Sequence, residues 1–430
     1  SALSLLSELH LWGPRFYNTV ESNLTADSTD GFYETSLEVV NDFSVTKKLP
    51  RGGSVSAGAL TTIAKEIHKT TTESDSSSSV SLSLDIPLLR GAGDVARESV
   101  IQAKRNLVYA ARTYERFRRV FYSEIVGDYL SLVVQKQSLE NAQRGVDSLR
   151  QLAKRQAALY ESGRTRLYDS ADAENQALAS VARLSQSWEQ YRLALDRFKI
   201  RIGWPITKPI QVVTSNLGVV PPAVSVSAAV GDALKYRLDL QNERDRVVDT
   251  LRGVENALNN ILPDINLTAS GSTWSEDDRP FKFTGREIDY LAGLSISLPL
   301  DRETERIEVR QQQISLERSK RGFREFQDNI AISVRSALRN IEVYQFTLDL
   351  QERNVGIAEL GLDSINADPD RVSVLDQTRA ISDLQGAQDA RDSAKRDLEL
   401  SIVNYLLQSG KLRVTGDGSL VLPSHHQENG

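Results

Sequence analysis

The chain has 430 residues, enough for two or three ordinary globular domains, but only 7% are aromatic and 26% are charged. Ala, Leu, Ser, Arg, Gln and Glu crowd its middle, a mixture that suits long exposed helices with a narrow apolar seam rather than an enclosed enzyme-like core. A net charge of −6 gives no electrostatic reason for a nucleic-acid partner, and the absence of cysteine excludes disulfides, zinc–thiolate sites, cysteine nucleophiles and a cysteine-linked lipid in this chain.

The four histidines, His10, His68, His425 and His426, offer no pair at a catalytic metal spacing. There is no Gly-rich phosphate loop and no credible nucleophile–base pair, so neither an enzyme nor a cofactor is expected. No signal sequence is visible, and no apolar run approaches the ~20 residues that a membrane-spanning helix needs. An exported chain would look like this after processing.

Residues 1–90 read as β-structure, with Gly, Pro, Ser and Thr punctuating short alternating runs. The clearest run is Val80-Ser81-Leu82-Ser83-Leu84-Asp85-Ile86, whose period of two suits a strand between two different solvents. Earlier candidates are Thr35 to Thr46 and Ser54 to Ile63, and Thr70 to Ser79 reads as an exposed loop. From Asp94 to about Tyr160 the period becomes helical. Val100, Ala103, Leu107, Ala110, Tyr114, Phe117 and Phe121 form a heptad seam that resumes at Leu132, Leu139, Ala142, Val146 and Leu149. Gly163 breaks this helix, a second runs from about Asp169 to Ile202, and Gly203-Trp204-Pro205 stops it. The short turn makes the two an antiparallel hairpin.

After a Val-, Pro- and Ser-rich linker the plan repeats: a helix from about Gly231 to Asn260, strands at 265–269 and 290–298, a long helix over 302–363, a turn at Asp368-Pro369-Asp370, and a last helix over 373–408. Leu82 to Leu88 matches Leu294 to Leu300 at an offset of 212 residues, while Asp169 matches Asp376 and Gly203 matches Gly410 at an offset of 207. The domain reading is a first repeat at 1–203 (strands 12–87, helical hairpin 94–203) and a linker at 204–235. A second repeat follows at 236–412 (strands 264–299, hairpin 301–410), with a tail at 413–430.

The first half offers two to four strands and the second about two, fewer than the ~8 of the smallest membrane barrels. Lipid cannot satisfy an open sheet edge, so a membrane reading forces oligomerisation; three chains with four strands each would give twelve. Trp12, Tyr17, Phe32, Tyr33, Trp274, Phe281, Phe283 and Tyr290 cluster in both strand regions and suit aromatic girdles at a membrane interface.

Pro87-Leu88-Leu89-Arg90-Gly91-Ala92-Gly93, at the junction of an alternating strand and a long helix, resembles the TolC-like outer-membrane efflux proteins. So do Tyr160-Glu161-Ser162-Gly163-Arg164 with Asp169 and Ala173-Glu174-Asn175, Tyr191 to Leu195 before Gly203, and Val372-Ser373-Val374-Leu375-Asp376. Ala233-Leu234 with Arg237-Leu238-Asp239-Leu240 is similar to the family's helix start after the linker, with Leu238 where proline is usual. The resemblance covers about residues 80–415 and implies a mainly α fold with β: two tandem repeats forming a trimeric twelve-stranded β-barrel that continues into an α-helical barrel. It implies an outer-membrane exit duct with a periplasmic extension, serving tripartite efflux or type I secretion. Its partners would be two further copies, outer-membrane lipid, a periplasmic adaptor and an inner-membrane pump.

In the same resemblance Asp169, Asp376, Arg371 and Ser373 fall at the periplasmic entrance, Arg371 in place of a family arginine whose aligned position is Pro369. Gly163, Arg164, Thr165, Arg166, Leu167 and Val372 fall at tips that dock the adaptor. Each reading has a plainer counterpart: Asp169 as a helix cap, Asp376 and Arg371 as solvated charges, Gly163 as a hairpin turn. The competing function is a soluble periplasmic coiled-coil scaffold or adaptor.

Overall fold

The computed structural model describes residues 1–29, 32–66, 74–214, 217–276, 279, 281–283, 288–367, 372–415 and 420–421. The chain folds into two compact units, residues 1–113 with 241–324 and residues 114–240 with 325–430, each drawing on both halves of the sequence.

Helix α1 (Ala2–Leu11) opens the first unit, in a stretch whose composition reads as β-structure. Its Ala- and Leu-rich decapeptide has high helix propensity and no β-branched residue, which decides the local outcome. Strands β1 (Arg15–Thr29), β2 (Phe32–Lys48), β3 (Ser54–Glu66), β4 (Ser74–Pro87), β5 (Asp264–Trp274) and β6 (Ile288–Ser297) then form one antiparallel sheet in the order β1-β2-β3-β4-β5-β6. That is six strands, two more than the four per chain on which a twelve-stranded trimer rests. The extra pair is β1 with β2; β2 contains the strand read at Thr35 to Thr46, while in β1 the alternation is interrupted by Asn18 and Ser22 and is less legible.

Residues 74–79, expected as loop, extend β4 instead. Polar side chains do not prevent backbone pairing, and the ladder from Lys65↔Ser74 to Ser54↔Asp85 is continuous. Between β2 and β3 the chain reverses at Gly52 and Gly53, both at positive φ, and Leu49 N–H donates to the Gly53 carbonyl at 3.0 Å.

The Pro87 to Gly93 junction is clamped within the same unit. Gly91 N–H donates to Asn259 Oδ1 at 2.7 Å, Gly93 N–H to the Arg51 carbonyl at 2.9 Å, and Leu88 N–H to the Ile265 carbonyl at 2.7 Å. A short 3₁₀ turn (Gly93–Arg97) then leads into α2 (Glu98–Glu161), a helix of 64 residues. In this unit α2 is tied to α5 (Leu238–Asn260) by an ionic ladder. Arg112 meets Asp245 at 2.6 Å, Arg105 pairs with Asp249, and Arg252 meets both Glu98 at 3.1 Å and Asp249 at 2.9 Å.

The second unit is helical: the rest of α2, α3 (Leu167–Arg201), α4 (Val226–Tyr236), the rest of α6 (Glu303–Ala367) and α7 (Val374–Gln408), with a small ladder of β7 (Arg413–Val414) and β8 (Leu420–Val421). The expected single helix over 231–260 is two, broken at Arg237, whose backbone is extended at φ −71 and ψ 120. The break places the Arg237 guanidinium in a buried position, where it donates to Asp239 at 2.7 and 3.1 Å and to Gln408 at 3.0 Å.

One buried cluster joins Leu132, Val133 and Val212, flanked by Tyr129, Tyr191 and Phe198; another joins Leu149, Leu152, Ala173, Ala177 and Val374. The α2 seam is buried at Leu132, Leu139, Val146 and Leu149, but Tyr114, Phe117 and Phe121 stand exposed. Among the described residues no helix is long and apolar enough to cross a membrane.

Candidate functional site

Successive side chains of a strand point to opposite faces, and directly paired residues of neighbouring antiparallel strands share one. The observed register therefore sorts the whole sheet of the first unit. One face carries Phe16, Val20 and Leu24 of β1, Leu37, Val39, Phe43 and Val45 of β2, and Val55, Ala57, Ala59 and Ile63 of β3. It continues with Val80, Leu82, Leu84 and Ile86 of β4, Ile265, Leu267 and Ala269 of β5, and Ile288, Tyr290, Ala292, Leu294 and Ile296 of β6. Among the described residues its only charges are Lys47 and Lys65, close to strand ends.

The other face carries Thr19, Glu21, Asn23, Glu38, Asp42, Ser44, Ser56, Thr62, Ser79, Ser81, Ser83, Asp85, Thr268, Ser270, Ser272, Asp289 and Ser295. Val40, Leu60 and Leu291 also fall on this side, but each face keeps its predominant character across six strands, which a one-residue slip in any ladder would destroy.

The apolar face is exposed. Tyr290 is 80% exposed, Phe16 68% and Leu294 57%, so among the described residues no element covers these positions. Its five apolar positions on β6, from Ile288 to Ile296, span about 27 Å at ~3.4 Å per residue, close to the ~25 Å apolar band of barrel proteins. Polar interruptions are offset by neighbours: Asn18 stands opposite Phe43, Asn41 opposite Val20, and Ser22 opposite Val39.

The expected interface aromatics are divided between the two faces. Tyr290 stands on the apolar face, while Tyr17, with Arg15 stacked over its ring, and Trp274 stand on the polar one. Trp12 lies before β1 under Lys48, Phe281 and Phe283 lie in the β5–β6 connection, and Phe281 is at φ +77. Phe32 and Tyr33 pair with Thr29 and Ser28 in the backbone ladder; their side chains lie outside the described residues.

The second candidate region lies in the helical unit, at the α2–α3 and α6–α7 turns. Gly163, at φ +74, closes α2 with paired bonds, its own N–H to the Tyr160 carbonyl at 2.9 Å and Arg164 N–H to the Leu159 carbonyl at 2.8 Å. This pattern satisfies two orphan carbonyls and requires a left-handed residue, for which glycine is best suited. Arg164, Arg166 and Leu167 are exposed, and Thr165 Oγ1 donates to Asp169 Oδ2 at 3.4 Å. Asp169 sits in the first turn of α3, where its charge complements the helix dipole.

At the second turn Ser373 caps α7. Its Oγ accepts Asp376 N–H at 3.2 Å and donates to Asp376 Oδ2 at 2.7 Å, and Arg379 lies 4.0 Å from the carboxylate. Val372 accepts a bond from Gln377 Nε2 at 3.2 Å. The 207-residue offset thus lands on equivalent geometry, since Asp169 and Asp376 are each the third residue of a helix. The same holds for Gly203 and Gly410, at φ +72 and +73, each just beyond a helix end.

Val374 packs on Ala173 and Ala177, which brings the two turns together within the unit. The Asp169 carboxylate accepts from Thr165 and the Asp376 carboxylate from Ser373, the residue that caps α7, and both aspartates remain solvent-accessible at the turns. Arg371 lies outside the described residues, as do His68, His425 and His426. Among the described residues no group of His, Cys, Asp and Glu is placed to hold a metal ion.

Sequence reasoning missed the acid–base group of the helical unit. Burial raises the Asp239 carboxyl, but hydrogen bonds from Arg237 and the charge of Arg116, 3.2 Å away, outweigh this and hold it below its ordinary value. Only the proline-free Arg237-Leu238-Asp239 step pointed there.

No family model matches the sequence, and no curated protein sequence does either. Solved structures do match. The outer-membrane channel OprN superposes with a TM-score of 0.71 at 13% identity, over 95% of this chain and 84% of that one. The CmeC outer membrane channel of Campylobacter jejuni gives 0.69 at 15% over 95% and 80%, and the outer membrane protein VceC of Vibrio cholerae gives 0.68 at 14% over 95% and 91%. Likeness at such identities establishes the fold.

Proposed function

We propose that this chain, which has the fold of the TolC-like outer-membrane channels, is one protomer of a passive outer-membrane export channel. The observation that carries the reading is the sheet with one apolar and one polar face. An exposed apolar face of bilayer height needs lipid, and a polar face rich in Ser, Thr, Asp and Glu needs water. A six-stranded sheet cannot close on itself, so copies must complete the cylinder.

The helical unit supports the same assembly. Helix α6 buries Ile330, Val334, Ala337 and Ile341 within the chain while Val343, Phe346, Leu350, Ile357 and Leu360, at heptad spacing, stay exposed. A helix with two apolar stripes has a neighbour on each side, and one of those neighbours must come from another copy. A soluble scaffold would explain the helices but not the bare apolar sheet.

The full assembly is read as a trimer in the outer membrane with a periplasmic helical extension. It would be served by an adaptor at the α2–α3 and α6–α7 turns and by an inner-membrane pump, for efflux or type I secretion. Asp169 and Asp376 stand at those turns, where three symmetry copies of an acid would favour cations. The channel performs no bond chemistry.

The test is mass in detergent together with conductance in planar bilayers. Trimers that conduct are expected, and a soluble monomer without conductance would refute the reading. Asp376→Asn should lower cation selectivity; unchanged selectivity removes Asp376 from the constriction.

A further inference from the structure

We propose that the wall contributed by each copy is six strands wide, so that β6 of one copy pairs with β1 of the next and three copies close an eighteen-stranded cylinder. This rests on the trimeric channel reading and fixes its strand number and its seam.

The β1–β2 hairpin is built as wall. It joins β3 through an unbroken ladder from Ser36↔Glu66 to Lys48↔Ser54, and it continues both faces without inversion. Phe16, Val20 and Leu24 extend the apolar face, with Phe16 and Phe43 ring centroids 6.4 Å apart, while Thr19, Glu21 and Asn23 extend the polar one. A hairpin lying in water beside a four-stranded wall would have no need of two chemically distinct faces in register with that wall.

The free edges are also where that arrangement requires them. Every residue of β1 from Phe16 to Ala26 is exposed, and so is every residue of β6 except Gly293, whereas β2, β3 and β5 are mostly half-buried. Among the described residues β1 has only β2 as a neighbour and β6 only β5. Each edge therefore offers unpaired amides and carbonyls beside a surface that lipid would wet, a cost that closure removes.

Parity fits as well. In an antiparallel sheet of six strands the first and last run in opposite directions, so adding β6 of a neighbour to β1 preserves the alternation around the ring. With strands ~4.8 Å apart and tilted ~40°, eighteen strands give a backbone diameter of about 36 Å, against about 24 Å for twelve.

Introduced cysteine pairs test the seam, and the chain has no native cysteine to confuse the result. Polar-face positions avoid the lipid side: Thr19→Cys or Asn23→Cys on β1, each combined with Asp289→Cys, Leu291→Cys or Ser295→Cys on β6. Ser56→Cys and Thr62→Cys on β3 serve as the competing seam of a four-stranded wall. Full-length protein in detergent is treated with a mild oxidant and sized under denaturing conditions.

The expected result is conversion of most of the monomer band to covalent trimer by at least one β1–β6 pair, and no such conversion by β3–β6 pairs. Trimers linked through β3 and β6, or trimers in which no β1–β6 pair links, overturn this inference alone. Unmodified protein that is monomeric in detergent overturns the channel reading and this inference with it.

Discussion

Three glycines show how differently one residue type can matter. Gly163 sits at φ +74 with nothing within 4 Å of where a Cβ would lie, so Gly163→Ala meets only backbone strain, about 1 kcal/mol. A Cβ at Gly53 would lie 2.0 Å from the Asp85 carbonyl oxygen, and one at Gly410 2.9 Å from the Tyr236 carbonyl carbon. Gly53→Ala must push β3 away from β4, and chemical denaturation should show a loss several times that of Gly163→Ala. Equal losses would mean that the turn does not hold the strands together. Ser373→Ala removes the α7 cap and should cost about 1 kcal/mol by the same assay, without the selectivity change expected of Asp376→Asn.

Asp239 gives a pH signature. Its carboxyl is held below the ordinary value by Arg237 and Arg116, so its stabilising contribution is complete above the unfolded pKa, near 4, and is lost as pH falls through the lower folded value. Melting temperature should therefore drop on acidification below about pH 4, and Asp239→Asn should flatten that part of the curve while lowering stability at neutral pH.

At the scale of elements, the helices are legible because their period is strong and their stops are chemical. Gly163, Gly203 and Gly410 mark real helix ends, and observed boundaries lie within a few residues of those read from spacing. The break at Arg237 was marked only by the resemblance of Arg237-Leu238-Asp239-Leu240 to a helix start, since neither glycine nor proline stands there; a buried guanidinium contact made elsewhere in the fold compensates for the missing helical bonds. The exposed stripe of α6 carries a prediction of its own. Phe346→Glu places a charge where another helix is expected, and should shift the detergent-solubilised protein from trimer towards monomer without lowering its helical content by circular dichroism. A trimer of unchanged stability would mean that this stripe faces water.

At the scale of the whole molecule, surface and solvent are mismatched. The sheet presents a broad apolar face that is largely uncovered among the described residues, and α6 presents a second apolar stripe. A single copy in water would leave both bare, which is the mark of an interaction surface. The tandem plan, the mainly helical class and the apolar–polar alternation of β4 and β6 were all written in periodicity, which is a local property. Asp169 and Asp376 were legible only as positions: structure places them in equivalent first turns of α3 and α7, with Val374 packed against Ala173 and Ala177.

The sequence by itself determined the alternation of strand regions with long helical hairpins, the duplication and the chemical difference between the two sides of the clearest strands. These follow from side-chain spacing along one stretch of chain. Only the tertiary structure decided that β1 and β2 join the sheet, that its faces are continuous across six strands, and that a buried arginine divides α4 from α5. Register and long-range pairing depend on which segments meet in space. For strands interrupted by Asn and Ser, the neighbour's side chains supply the information that local alternation lacks.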